Sequence, residues 1–124
     1  MCRTRSIGSN AGENAFTNGS TGGWRPEDGV AYKDLTQQID RAFANVDLCL
    51  KDAGRKAWLQ VFRVNSYHVP INDGAIAAMV RDSKKWMPDH QPIWTSVGVT
   101  RLGDDYMRVE VEVVAHDPEG ARKS

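Results

Sequence analysis

A chain of 124 residues, 40% apolar and 26% charged, suits one globular domain with one core. Sixteen Lys plus Arg balance sixteen Asp plus Glu, so no whole-chain field draws nucleic acid or anionic lipid. The runs "GRK" and "KK" are too short to act as a local basic patch, and no apolar run reaches the length of a membrane span.

Residues 1–33 are rich in Gly, Asn and Ser and show little periodicity. The first 19 read as a divergent, disorder-prone segment; within residues 1–33 only "NAFTNGS" (14–20) has strand character, followed by the turn-rich "TGGWRPEDG". Arg3 and Arg5 among Ser and Asn faintly resemble a transit peptide, but Glu13 and the lack of an amphipathic pattern argue against one. The cytoplasm is the expected compartment, with the mitochondrion a lesser alternative. From Asp34 the pattern sharpens. Leu35, Ile39, Ala42, Phe43, Val46 and Leu50 recur at helical steps, Asp34 with Gln37 forms a capping box, and Gly54 supplies the stop. "AWLQVFRVNSYHV" then reads as a strand ended by Pro70. A second helix opens at Asn72 or Asp73, carries Ile76, Met79, Val80, Trp86 and Met87 as its stripe, and closes at Pro88. Residues 118–124 form a polar tail. This order predicts an α+β fold with one sheet and both helices on one of its faces.

"HQPIWTSVGVTRLGDDYMRVEVEVVAH" reads as a hairpin turning at Gly103, Asp104 and Asp105. That register sets Gly98 opposite Glu110 and Ser96 opposite Glu112. Met107, Val109, Val111 and Val113 would meet the helices together with Ile93, Val97 and Val99. Trp94, Ser96, Gly98, Glu110 and Glu112 would then share the far face. Apolar groups on that face would be covered by other copies of the chain, which predicts a closed homo-oligomer with pockets between subunits.

Other reactive residues carry weaker signals. Cys2 lies in a polar terminus and Cys49 in a helical pattern, with 46 residues between them and no CxxC. This predicts a buried, inert Cys49 in a reducing compartment. His68, His90 and His116 form no ligand pair, so no metal site is expected. Asp104 and Asp105 are turn residues. Ser66 and His68 share a strand face as a nucleophile and base would, but no third group is indicated.

"LKDAG", "VFRVNSYHV", "HQPIWTSVGVTRL" and "RVEVEVVAHD", in this order, resemble the YjgF/RidA family, also called the endoribonuclease L-PSP family, over residues 20–117. The resemblance implies a chorismate-mutase-like fold and a homotrimer whose sheets form a central barrel. It also implies hydrolysis of reactive 2-imino and 2-enamino acids in clefts between subunits, without metal or organic cofactor. Of the family's Pro-Ala-Arg-Ser/Thr motif, Pro92 and Thr95 match, Ile93 replaces Ala and Trp94 replaces Arg. Glu110 matches the site glutamate, and Glu112 follows it in the "E-x-E-x" strand. The tyrosine of the family's "GPYxQ" has no counterpart, and "STGGW" only loosely occupies the place of its "SGQ" loop.

A guanidinium grips a substrate carboxylate through two parallel hydrogen bonds, whereas an indole offers one N–H and no charge. Losing that pair costs roughly 100-fold in affinity. The resemblance with this replacement implies a homotrimer with a degenerate cleft and deaminase activity lost or very weak: either Trp94 plugs the cleft and packs at the subunit boundary in a non-catalytic member, or the cleft binds a small molecule through Trp94, Thr95, Ser96 and Glu110. A neutral, aromatic or cationic ligand would suit an indole beside a glutamate. The alternative is an imine or enamine deaminase acting through Glu110. An endoribonuclease is a remote third reading, because cationic phosphate contacts are missing.

Overall fold

The computed structural model describes residues 3–8, 15–25, 27–30, 32–52 and 57–116. Helix α1 (Leu35–Asp52) forms where the apolar spacing places it. The Asp34 carboxylate accepts the Gln37 N–H at 3.0 Å, so the predicted cap is in place; Gly54 lies outside the described residues. Ile39, Ala42, Phe43, Val46 and Leu50 are buried against the sheet. Gln38 and Asn45 are buried on the same helix and are satisfied by backbone groups. Gln38 accepts from Arg108 N–H at 2.7 Å and donates to the carbonyls of Tyr106 and Tyr32. Asn45 donates to the carbonyls of Gly22 and Trp24 at 3.0 and 2.7 Å.

The predicted long strand begins as a 3₁₀ turn (Ala57–Gln60). This turn drops Trp58 under α1, where it stacks on Phe43 at 4.8 Å between centroids and donates to the Phe43 carbonyl. Strand β3 occupies Val61–His68. Helix α2 (Asp73–Trp86) is capped by Asn72, whose side chain accepts from Ala75 N–H at 2.8 Å. Of the predicted stripe, Met79 and Met87 are buried and Trp86 packs against the core, whereas Ile76 is half-buried and Val80 stands 37% exposed; Ala75, Ala78 and Asp82 complete the buried side. Small alanines seat α2 where bulkier residues would hold it away.

Two strands precede α1, β1 (Arg3–Gly8) and β2 (Ala15–Gly22). β2 includes the stretch in which "NAFTNGS" had strand character. β1 falls inside the segment expected to be divergent and disorder-prone, where no strand was anticipated. With β4 (Ile93–Gly98) and β5 (Val109–His116) the sheet has the order β1-β2-β5-β3-β4. All pairs are antiparallel except β3–β4, which is parallel.

The predicted hairpin does not exist. β4 pairs only with β3 among the described strands, and β5 lies on the far side of β3. Helix α2 carries the chain from β3 across to β4, and a helical crossover returns the chain parallel to its first strand. Once β4 is registered on β3, its faces follow β3. Trp94 stands opposite Val64, Ser96 opposite Ser66, and Gly98 opposite His68, all on the helix side. Ile93 and Val97 face away, 63% and 42% exposed, which reverses the predicted faces of this strand. On β5 the prediction stands: Val109, Val111 and Val113 are buried, while Glu110 and Glu112 face away from the helices.

Candidate functional site

A cleft of about 350 Å³ opens between the second half of α2 and the chain entering β4. Val80, Met87 and the Trp94 indole supply its apolar wall, and Ser83, Lys84, His90 and Gln91 supply polar groups. His90 Nε2 lies 2.8 Å from the Val61 carbonyl and donates to it, which fixes the ring. Lys84 is exposed and places a cation at this cleft.

Trp94 is held from behind. Its Nε1–H donates to Ser66 Oγ at 2.9 Å. Ser66 Oγ is also 3.2 Å from Ser96 Oγ and 2.9 Å from His68 Nε2. His68 is fully buried, and its Nδ1 has no hydrogen-bond partner. Burial pushes its pKa below the ordinary histidine value, which keeps the ring neutral. The Ser66–His68 contact has the spacing of a nucleophile and its base, but both side chains are 0% exposed and no substrate reaches them.

The opposite face holds a second polar group. Thr95, Asn65 and Glu112 form one row across β4, β3 and β5, and Val97, Tyr67 and Glu110 form the next. Glu112 Oε1 accepts from Asn65 Nδ2 at 3.1 Å and from Tyr67 OH at 3.3 Å. Burial, then the charges of Glu112 and Glu110, push the Tyr67 phenol up, so it remains a donor. Arg63 stands opposite Ile93 one row away on this face.

The four residues expected to share one site are therefore divided. Trp94 and Ser96 lie on the helix face; Thr95 and Glu110 lie on the open face. The expectation of an indole beside a glutamate is corrected, because it rested on the hairpin register. Sequence reading gave no site role to Lys84, which as part of "KK" reads as a solvated helix face, nor to Asn65, Tyr67 and Arg63. Strict alternation in "RVNSYH" contains the signal for the last three, since it separates Arg63, Asn65 and Tyr67 from Val64, Ser66 and His68. Among the described residues no group of three or more His, Cys, Asp or Glu could hold a metal ion. Cys49 is buried, as expected, but disulfide-bonded rather than a reduced thiol. The cysteine argument for a reducing compartment loses its basis. No described helix is long and apolar enough to cross a membrane.

An α+β sheet with two helices on one face is the architecture that the YjgF/RidA resemblance implied. The family model described as Endoribonuclease L-PSP matches residues 6–117, and the chain belongs to this family. The match starts earlier than the resemblance read from the sequence and takes in part of β1. Among solved structures the chain is similar to RidA from an Antarctic Psychrobacter (TM-score 0.74, 16% identity, covering 90% of this chain and 85% of that one). It is also similar to the E. coli YjgF gene product (TM-score 0.71, 19% identity, 89% and 84% covered). E. coli TdcF, crystallised with bound serine, is similar at a TM-score of 0.71 and 20% identity, with 89% and 84% covered. No curated protein matches the sequence.

Proposed function

We propose that this chain is a small-molecule-binding member of the family, assembled as a homotrimer, in which imine hydrolysis is lost or very weak. The observation that carries this reading is the Trp94 indole, anchored by its N–H to Ser66 while it lines a cleft of about 350 Å³. That volume suits a small metabolite. An indole face with Val80 and Met87 favours a planar apolar body, and Lys84 favours a negatively charged group on it. This replaces the neutral or cationic ligand expected when Trp94 was set beside Glu110. The serine bound to the related TdcF is itself a small carboxylate. Exposed Ile93 and Val97 on the sheet's open face favour coverage by neighbouring copies.

Loss of hydrolysis is supported by the separation of position 94, which the resemblance matches to the family's arginine, from Glu110 across the sheet. Tryptophan fluorescence titration with a panel of small carboxylates tests the binding reading. A saturable response that disappears in Trp94→Phe is expected; silence across the panel would sink it. Light scattering tests the trimer.

A second reading, deamination through Glu110, draws support from Arg63 on the same open face. There a guanidinium could clasp a carboxylate while a carboxylate activates water. An imino-acid hydrolysis assay on wild type and Glu110→Gln decides between the two, with activity abolished by Glu110→Gln favouring the enzyme. RNA cleavage has only the family's description in its favour, and a gel assay against the same variant checks it.

A further inference from the structure

Ser66 never reaches the cleft, yet it controls the residue that walls it. A hydroxyl has one hydrogen to donate and two lone pairs to accept with. Ser66 Oγ has three neighbours within hydrogen-bond distance: Trp94 Nε1 at 2.9 Å, His68 Nε2 at 2.9 Å and Ser96 Oγ at 3.2 Å. The indole can only donate, so it occupies one lone pair. The hydroxyl hydrogen then goes to Ser96 with His68 donating to the second lone pair, or to His68 with Ser96 donating. In both arrangements all three valences of Ser66 are used and none is left for water. Its centre is closed to water, since Ser66 and His68 are 0% exposed, while Trp94 and Ser96 are half-buried. A hydrogen bond in such surroundings is costly to break, because no solvent replaces it.

The geometry follows from strand register. Parallel pairing sets Ser66 opposite Ser96, with Trp94 two residues before Ser96 and reaching back across to β3. The indole is pinned by its N–H, and its orientation relative to α2 is fixed. Without an acceptor at position 66 the ring has no reason to keep its polar edge inward. Rotation would turn the N–H toward the cleft and bring part of the ring into the ligand's space.

We propose that Ser66 is a positioning residue that sets the ligand affinity of the cleft by holding the Trp94 indole edge inward. The proposal rests on the reading of that cleft as a binding site. Its test keeps the two apart by following the indole N–H directly, with benzoate as the binding probe. ¹⁵N-indole spectra of the full chain, with the Trp94 signal assigned through Trp94→Phe, report N–H shift and hydrogen exchange. Ser66→Ala is expected to shift the Trp94 N–H signal, speed its exchange about tenfold or more, and weaken benzoate binding about tenfold, the worth of one hydrogen bond. Ser66→Cys fills the same space with a poor acceptor and should behave like Ser66→Ala, which separates hydrogen bonding from packing. Unchanged Trp94 exchange in Ser66→Ala and Ser66→Cys overturns the anchoring. Faster exchange with unaltered benzoate affinity overturns the role in binding. Failure of benzoate to bind wild type, with exchange still responding to Ser66→Ala, counts against the cleft as a carboxylate site and leaves the anchor standing.

Discussion

Trp94 and Glu110 stand on opposite faces of one sheet, with β3 between their strands. A guanidinium introduced by Trp94→Arg would therefore emerge among Val64, Ser66 and α2, not beside Glu110. The variant should show no gain in imino-acid hydrolysis over wild type and should lose about 1–3 kcal/mol of stability through a poorly paired charge on the helix side. Chemical denaturation with a parallel activity assay checks both. A variant that hydrolyses imino acids where wild type does not would show that this position reaches the reacting centre.

His68 makes stability sensitive to acid. Burial favours its neutral ring in the folded protein, whereas the unfolded chain takes up a proton near the ordinary value of about 6.5. Below that pH the unfolded state binds more protons, so stability falls as the solution is acidified. In thermal melts between pH 7.5 and 5 this residue pulls stability down against the opposite effect of Asp82, so His68→Gln should gain stability relative to wild type as the pH falls. Equal slopes for the two proteins would exclude this residue as the cause.

Asp82 works in the other direction. Burial, with the Asp40 carboxylate alongside, raises its pKa to about 7, against the partial compensation of Arg81 and Lys85. Between the ordinary carboxylate range and about pH 7 the folded state holds a proton that the unfolded chain has lost. Stability therefore falls as pH rises through this interval and levels off above it. Asp82→Asn keeps the shape without the charge and should gain stability over wild type at pH 8 relative to pH 5. Melting temperatures at the two values give the comparison, and a constant difference would refute the assignment.

Gly23 sits against the backbone of α1. A Cβ built there would lie 2.3 Å from the Gln38 carbonyl oxygen and 2.6 Å from its Cα. Backbone cannot yield as a flexible side chain can, so Gly23→Ala should cost about 1–3 kcal/mol or more by denaturant titration. A neutral result would mean that the chain before α1 can move away from the helix without loss.

Gln38 ties the start of β5 to α1 through Arg108 N–H and the Tyr106 carbonyl. Replacing it with Leu leaves those buried backbone groups unpaired, at about 1–3 kcal/mol for each one that water cannot reach. Amide exchange at Arg108 should accelerate in Gln38→Leu before global unfolding does. Unaltered protection at that amide would show that the loop is held by other contacts.

Much of this architecture was legible before any coordinates. Helix α1 follows from Leu35, Ile39, Phe43, Val46 and Leu50 because a 3.6-residue repeat has one structural meaning and its cap is local. The alternation of Val109, Val111 and Val113 with Glu110 and Glu112 set the faces of β5 for the same kind of reason. Strand β1 escaped notice because "RTRSIG" has one large apolar residue and gains its hydrogen bonds from β2 rather than from its own pattern. The face of β4 was misread because Ile93, Trp94, Val97 and Val99 place apolar groups on both sides.

Sequence by itself determined what depends on neighbours within a few residues: helix positions, caps, the valine face of β5 and the family to which the chain belongs. Tertiary structure alone decided which strand β4 joins, and with it the side on which Trp94 stands. Strand partners come from distant parts of the chain, and shifting the pairing by one residue turns every side chain over. A periodic pattern shows that a strand has two faces; the strand it pairs with decides which one meets the helices.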